Sequence, residues 1–215
     1  MSMGRRLPVY LLLDTSGSMS GEPIEAVRQG IKALLSDLMS EPTARETVYL
    51  SVITFSSSAQ QIVPLTELMS FQEPSLDANG STAFGDALKV LEQCMDREVV
   101  KATSTTQKGD WKPLVFIMTD GQPTDSWESV ADHIKQKKLG NVIACAAGPG
   151  ADENMLKKVT ELVVKLNSLQ PEALKAFFKW VSDSIKTTSQ SVAQVAADTP
   201  IGLPKPDPNN MIIVL

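Results

Sequence analysis

The sequence predicts an α/β protein: a doubly wound, Rossmann-like, mostly parallel sheet of six strands, with one antiparallel edge strand and helices on both faces. Three observations carry this. Apolar runs of strand length alternate with segments whose apolar residues recur at helical spacing. Runs such as "PVYLLLD" (8–14) and "KPLVFIMTD" (112–120) are apolar at consecutive positions, as strands covered on both faces must be. The element order, βαββαβαβα, is that of a doubly wound sheet.

The elements follow in order. After the strand at 8–14, Ile24, Val27, Ile31, Leu34, Leu35 and Leu38 form one stripe, predicting a helix from about Pro23 to Ser40. Pro23 suits a first turn, where its missing N–H costs nothing. "VYLSVITF" (48–55) and "QQIVPLT" (60–66) are joined by "SSSA", too short for a crossover, so they form a hairpin and one runs antiparallel. Phe84, Leu88, Leu91 and Met95 mark the second long helix, and the strand at 112–120 follows. A helix from about Trp127 to Lys138 places Lys135, Lys137 and Lys138 at the negative end of its dipole. Then come a strand at 141–148, a short helix over Asp152 to Val159, a weak strand "LVVKL", and a last helix carrying Leu174, Phe177, Phe178, Val181 and Ile185.

From about Ala196 the pattern stops. "DTPIGLPKPDPNN" divides the chain into a domain, 1–195, and a proline-rich C-terminal tail, 196–215, ending in "MIIVL". The tail reads as a solvated linker; alternatively Met211 to Leu215 adds a strand or an anchor to its own domain or a neighbour.

Composition narrows the function. The 215 residues are 42% hydrophobic and 21% charged with a net charge of −5, which fits a soluble globular protein and gives no basic patch for nucleic acid. Cys94 and Cys145 lie in apolar surroundings and read as buried free thiols. With one histidine, a Cys/His zinc site is excluded. The apolar run in "RRLPVYLLL" stops at Asp14 with no small-residue cleavage site after it, and no stretch approaches the ~18 apolar residues of a spanning helix. A cytoplasmic protein without membrane contact is expected, monomeric or weakly self-associating through the tail.

In such sheets ligands bind beyond the C-terminal strand ends, near the topological switch point. There "LLLDTSGSMSGEP" (11–23) runs from an apolar strand into Asp14, Ser16 and Ser18, and the strand at 112–120 ends on Asp120 and Gly121. If the two strands are neighbours, the two aspartates face each other. "NGSTAFGDAL" (79–88) opens a helix, with Ser81 and Thr82 where N-caps sit. Two carboxylates among hydroxyls, without imidazole or thiolate, make an oxygen-only site. It suits a hard ion such as Mg²⁺, which prefers six oxygens at about 2.0–2.1 Å; Mn²⁺ or Ca²⁺ are alternatives. Alternate side chains of Asp-x-Ser-x-Ser can point at one centre when the loop curls, and Gly17 permits a tight curl.

"DTSGS", "GSTA" and "TDG", in this order, resemble the metal-ion-dependent adhesion site of von Willebrand factor type A domains, and the element order resembles that family from about residue 7 to 190. "DTSGSMSGEPI" and "MTDGQPTD" are most similar to bacterial tellurite-resistance TerY-like proteins. The resemblance implies direct metal contact by Ser16, Ser18 and Thr82, with Asp14 and Asp120 acting partly through waters and Gly17, Ser81 and Gly121 on the partner-binding rim. It also implies a non-enzymatic interaction module that captures an Asp or Glu from a protein partner, scaffolding a tellurite-resistance or stress-response complex.

Two other functions compete with this one. Phosphoryl transfer through Asp14 needs a second carboxylate two residues on, and that position is Ser16, too weak an acid. There is also no G-x-x-x-x-G-K-[ST] loop. A metal that only staples the loops is the other alternative. Among nearby residues, Asp125 is expected to cap the helix from Trp127, Asp86 to favour its own helix dipole, and His133 to be structural. Trp127 and Phe84 flank the site, with Phe84 read as core.

Overall fold

The computed structural model describes residues 5–102, 108–138, 140–194 and 203–214. The elements are β1 (Leu7–Asp14), α1 (Glu22–Met39), α2 (Pro42–Thr47), β2 (Val48–Phe55), β3 (Ala59–Glu67), α3 (Phe84–Glu98), β4 (Leu114–Thr119), α4 (Glu128–Lys137), β5 (Asn141–Ala147), α5 (Glu153–Val159), β6 (Leu162–Leu166), α6 (Pro171–Gln194) and β7 (Met211–Val214). They build one seven-stranded sheet in the order β3-β2-β1-β4-β5-β6-β7. The expected α/β class, the parallel centre and the β2–β3 hairpin are all present.

The strand count differs from expectation. The sheet has seven strands rather than six, because Met211–Val214 pairs antiparallel with β6 and supplies a second antiparallel edge opposite β3. The tail therefore returns to its own domain. The turn before it is made by Asp207, whose carboxylate accepts from the Asn209 N–H at 3.0 Å and the Asn210 side-chain amide at 2.8 Å.

Alternation along β1 assigns the two cores. Leu7, Val9, Leu11 and Leu13 pack with α1 and α6 on one face, where Ile31, Leu34, Phe177 and Phe178 meet them. Tyr10 and Leu12 pack on the other face with Phe84, Leu88 and Leu91 of α3 and Ala131 and Ile134 of α4. All eight residues of β1 are buried, as its apolar run requires. Phe84 and Trp127 both belong to the second core, their rings 6.1 Å apart edge to face, so both residues flanking the site are buried.

The chain order fixes where a site can form. From β1 it proceeds outward through β2 to β3, then returns to lay β4 on the other side of β1. The order in which strands are added reverses between the parallel neighbours β1 and β4, leaving a crevice beyond their C-terminal ends. Leu13 pairs with Met118, so Asp14 and Thr119 arrive side by side at the mouth of that crevice.

Candidate metal site

Three loops meet above the crevice. The first leaves β1 as Thr15–Ser16 and tightens into a 3-10 turn, Gly17–Met19. The second is the turn 79–83 before α3, and the third follows β4 through Asp120 and Gly121. Backbone hydrogen bonds lace the first two together: Gly17 N–H donates to Gly80 C=O at 3.0 Å and Asn79 N–H to Thr15 C=O at 2.9 Å. Gly80 sits at φ +75°, where a side chain would be strained and would also meet the Ser57 hydroxyl at 2.3 Å. A residue with no Cβ is needed there for the loops to close.

The side chains converge as the spacing predicts. Asp14 is fully buried; its Oδ1 accepts from the Ser16 N–H at 2.8 Å and its Oδ2 from the Thr119 hydroxyl at 2.6 Å. The Ser16 and Ser18 hydroxyls lie 3.0 Å apart, and Ser18 donates to Asp120 Oδ1 at 2.9 Å. Thr82 lies on the far side of the crevice, its hydroxyl oxygen 3.3 Å from where a Gly121 Cβ would stand. Of the five residues expected at the metal, Asp14, Ser16, Ser18 and Asp120 form one hydrogen-bonded string, and Thr82 faces it across Gly121. Gly17, Ser81 and Gly121 lie on the same rim; the Ser81 side chain is exposed, and its N–H donates to the Ser57 hydroxyl.

The electrostatics are unbalanced. Burial pushes both the Asp14 and the Asp120 carboxyls above the usual carboxylate range. Hydrogen bonds from Ser16 and Thr119 pull Asp14 back, and Ser18 does the same for Asp120. The charge of Asp120 adds to the rise at Asp14. Among the described residues no Lys, Arg or His forms an ion pair with either carboxylate. The Thr82 hydroxyl likewise has no hydrogen-bond partner among them and is open to solvent at the mouth of the crevice. Two buried carboxylates without a basic partner among the described residues, beside a hydroxyl that no described residue bonds, could serve as donors to a hard divalent ion. No group of three or more His, Cys, Asp or Glu suited to a metal occurs among the described residues, so any shell at this site would also draw on hydroxyls, water or backbone oxygens.

Two local expectations are corrected. Asp125 does not cap α4, whose N-cap position is Trp127. Its two carboxylate oxygens instead accept from Gly85 N–H and Asp86 N–H, each at 2.8 Å, so it caps α3 from a different loop. Ser81 and Thr82 are thereby relieved of capping, and the N-cap position of α3 falls to Ala83. Asp86 reaches back to accept from the Ala59 N–H at 2.8 Å, bracing the β2–β3 turn. Sequence reasoning missed Thr119 and Thr124, whose hydroxyl accepts from the Thr82 N–H at 3.2 Å. Thr119 is itself the first residue of "TDG", where a polar residue at the end of an apolar strand was the available signal; Thr124 lies three residues beyond Gly121 in the loop.

Known proteins share this architecture. The von Willebrand factor type A protein from Catenulispora acidiphila superposes with a TM-score of 0.65 at 18% identity, covering 85% of this chain and 43% of that one. Proximal thread matrix protein 1 from the mussel byssus, in a structure with a zinc-occupied MIDAS motif, superposes with a TM-score of 0.60 at 20% identity, covering 83% and 48%. At these identities the likeness shows the fold. In sequence, an uncharacterised protein of Synechocystis is 31% identical over 145 residues, 64% of this chain and 30% of that protein. Inter-alpha-trypsin inhibitor heavy chain H4 of Bos taurus is 28% identical over 128 residues, 54% of this chain and 13% of that protein. The chain thus spans less than a third of the length of these curated relatives. The family model for the von Willebrand factor type A domain matches residues 9–190, most of the chain, and the protein belongs to that family.

Proposed function

We propose that the domain is a metal-dependent protein-interaction module. In this reading Ser16, Ser18 and Thr82 hold a divalent ion directly, with Mg²⁺ the expected metal, and Asp14 and Asp120 steady it partly through waters. The observation that carries the reading is the pair of buried carboxylates with no basic partner among the described residues, linked through Ser16 and Ser18 and accompanied by the Thr82 hydroxyl, which no described residue bonds. When bound, the ion supplies a Lewis-acidic position whose charge the hydroxyls leave under-neutralised, and this favours an outside carboxylate. The chain's own groups do the rest. Thr119 and the Ser16 amide orient Asp14, Ser18 orients Asp120, and Gly17 and Gly121 keep the rim low enough for an Asp or Glu from a protein partner to enter. The zinc-occupied MIDAS of the mussel protein supports metal occupancy at this place in the fold.

The finer parts of the proposal rest on other features. The two motif segments similar to TerY-like proteins support a scaffolding role in a bacterial tellurite-resistance or stress-response assembly. Cys94 and Cys145, both unpaired and buried, suit a reducing cytoplasm, and no helix among the described residues is long and apolar enough to cross a membrane. Residues 1–195 would be the module and 196–215 an extension. The exposed Ile212 and Ile213 on β7 support weak self-association at that edge. Ser16 stands where a phosphoryl-transfer site would need its second carboxylate, which favours binding over catalysis.

The test is thermal unfolding of the chelated protein with Mg²⁺ or Mn²⁺ added back, with and without millimolar acetate. A ligand at a hundred times its Kd stabilises by about 2.7 kcal/mol. For a domain of this size that corresponds to roughly 5–11 °C. The rise should be absent in Thr82→Ala while its metal-free midpoint stays near wild type, and acetate should enlarge it in wild type alone. A wild-type midpoint indifferent to both metals, with or without acetate, would refute the proposal.

A further inference from the structure

The loop after β4 does more than carry Asp120. Four hydrogen bonds latch its next residues onto the Thr82 turn and the start of α3. Thr124 N–H donates to Thr82 C=O at 2.9 Å, and the Thr124 hydroxyl accepts from Thr82 N–H at 3.2 Å, a reciprocal pair. One residue on, Asp125 accepts from both Gly85 N–H and Asp86 N–H at 2.8 Å. Gly85 is the close-approach point of this seam: a Cβ there would meet Ser126 C=O at 2.3 Å and Trp127 Cα at 2.9 Å, so the loop can seat only against a residue without a side chain.

We propose that Thr124 and Asp125 are positioning residues for the metal site, a latch that sets the Thr82 hydroxyl relative to Asp120 and Ser18. The inference rests on the functional reading above. Thr82 is the one expected ligand outside the string of hydrogen bonds from Asp14 to Asp120. Among the described residues nothing bonds its hydroxyl, so its place depends on its backbone. That backbone is held on one side by the 56–57 turn, through Ala83 N–H to Ser56 C=O at 2.7 Å and Ser81 N–H to the Ser57 hydroxyl. On the other side it is held by Thr124. Because the latch and Asp120 share one short loop, a shift of that loop moves Asp120 and Thr82 together. A charged carboxylate on two amides at a helix N-terminus is a strong fastener for such a loop, since both the hydrogen bonds and the helix dipole favour it.

The test uses Thr124→Val, which keeps the shape and the backbone N–H but removes the hydroxyl acceptor, Thr124→Ser, which retains it, and Asp125→Asn. Mn²⁺ dissociation constants are read from the free-ion electron paramagnetic resonance signal at a temperature where each chelated variant is fully folded by circular dichroism. Amide hydrogen exchange at Thr82, Gly85 and Asp86 is followed in the same chelated samples. Groups that orient metal ligands typically change affinity by roughly tenfold to a hundredfold when removed. Thr124→Val and Asp125→Asn should weaken Mn²⁺ by about tenfold or more. They should also speed exchange at Thr82 and at Gly85 and Asp86, respectively. Thr124→Ser should restore both properties. Lower melting temperatures with wild-type Mn²⁺ affinity would make the latch merely structural and overturn the proposal. A wild-type protein that takes up no Mn²⁺ would instead refute the metal reading itself, and the latch would fall with it.

Discussion

Replacing Thr119 by valine isolates the contact that fixes Asp14. The two side chains have nearly the same shape, and Thr119 is fully buried, so the main change is loss of the hydroxyl that donates to Asp14 Oδ2 at 2.6 Å. A hydrogen bond to a charged group contributes about 1.5–3 kcal/mol. The longer bond that Thr119 accepts from Gly121 N–H, at 3.3 Å, adds little. A loss near 2 kcal/mol corresponds to a fall of roughly 4–8 °C in the unfolding midpoint of a domain this size. The pH dependence has a definite sign. Burial already raises the folded-state pKa of Asp14, so its ionised form is disfavoured in the folded protein. Its contribution therefore worsens as pH rises from the ordinary carboxylate value to the folded value. Removing the Thr119 donor raises the folded value further, so the deficit of the variant against wild type should widen over that rise and narrow in acid. Thermal unfolding in chelator at about pH 4.5 and about pH 7.5, followed by circular dichroism, reads it directly. A deficit of equal size at both pH values, or none at neutral pH, would refute the account of Asp14 as a buried carboxylate held by Thr119.

The same carboxylates give a second pH effect. Metal ligands must be ionised to bind, and burial raises both Asp14 and Asp120, so the rise in midpoint produced by a fixed Mn²⁺ concentration should shrink as pH falls through their raised values. Equal rises at neutral and mildly acid pH would count against both aspartates as metal-site residues. Away from the site, Gly30→Ala tests the α1–α6 packing. An added Cβ would lie 2.2 Å from Phe178 Cδ2 and 2.6 Å from its Cγ, and Phe178 is only 1% exposed. Better helix propensity contributes about 1 kcal/mol in favour of alanine, while overpacking costs about 1–3 kcal/mol. Strain should win, lowering the midpoint while leaving Mn²⁺ affinity unchanged; a more stable variant would show that α6 yields.

How much of this was legible in the sequence depends on the range of the interaction. The central strands were legible because a strand buried on both faces leaves an uninterrupted apolar run, and β1 and β4 are such runs. Helix α2 was not: Pro42–Thr47 is under two turns and buries Ala44 alone, so no periodicity can develop. β7 was ambiguous for a related reason, since four apolar residues after a proline-rich stretch fit a strand or an anchor equally until β6 is seen beside them. At the site, Asp14 and Asp120 were legible from their places at strand ends. The role of Thr119 depends on the β1–β4 register, and that of Asp125 on the 121–126 loop lying against α3. A cap inferred from sequence is assumed to serve the next helix. Here the sheet order brings a more distant helix closer.

The arrangement also suggests why hydroxyls rather than carboxylates crowd this crevice. Both oxygens of Asp14 already serve the protein, one taking the Ser16 amide and the other the Thr119 hydroxyl, and one oxygen of Asp120 takes Ser18. Carboxylates engaged in this way are less free to wrap an ion than the bidentate ligands of a tight calcium site. Their charge is felt through a short distance and a low dielectric, while their geometry is spent on holding the loops. If it takes a divalent ion as proposed, such a site would bind it less tightly than a cage of free carboxylates, and its affinity would remain open to improvement by a further anion. Linkage then requires that whatever a partner carboxylate adds to metal affinity, the metal adds by the same factor to the affinity for the partner. A tighter site would leave little for the partner to add, and the metal would become a staple. On the proposed reading, the hydrogen bonds that immobilise Asp14 and Asp120 would therefore favour exchange of a partner over permanent retention of the ion.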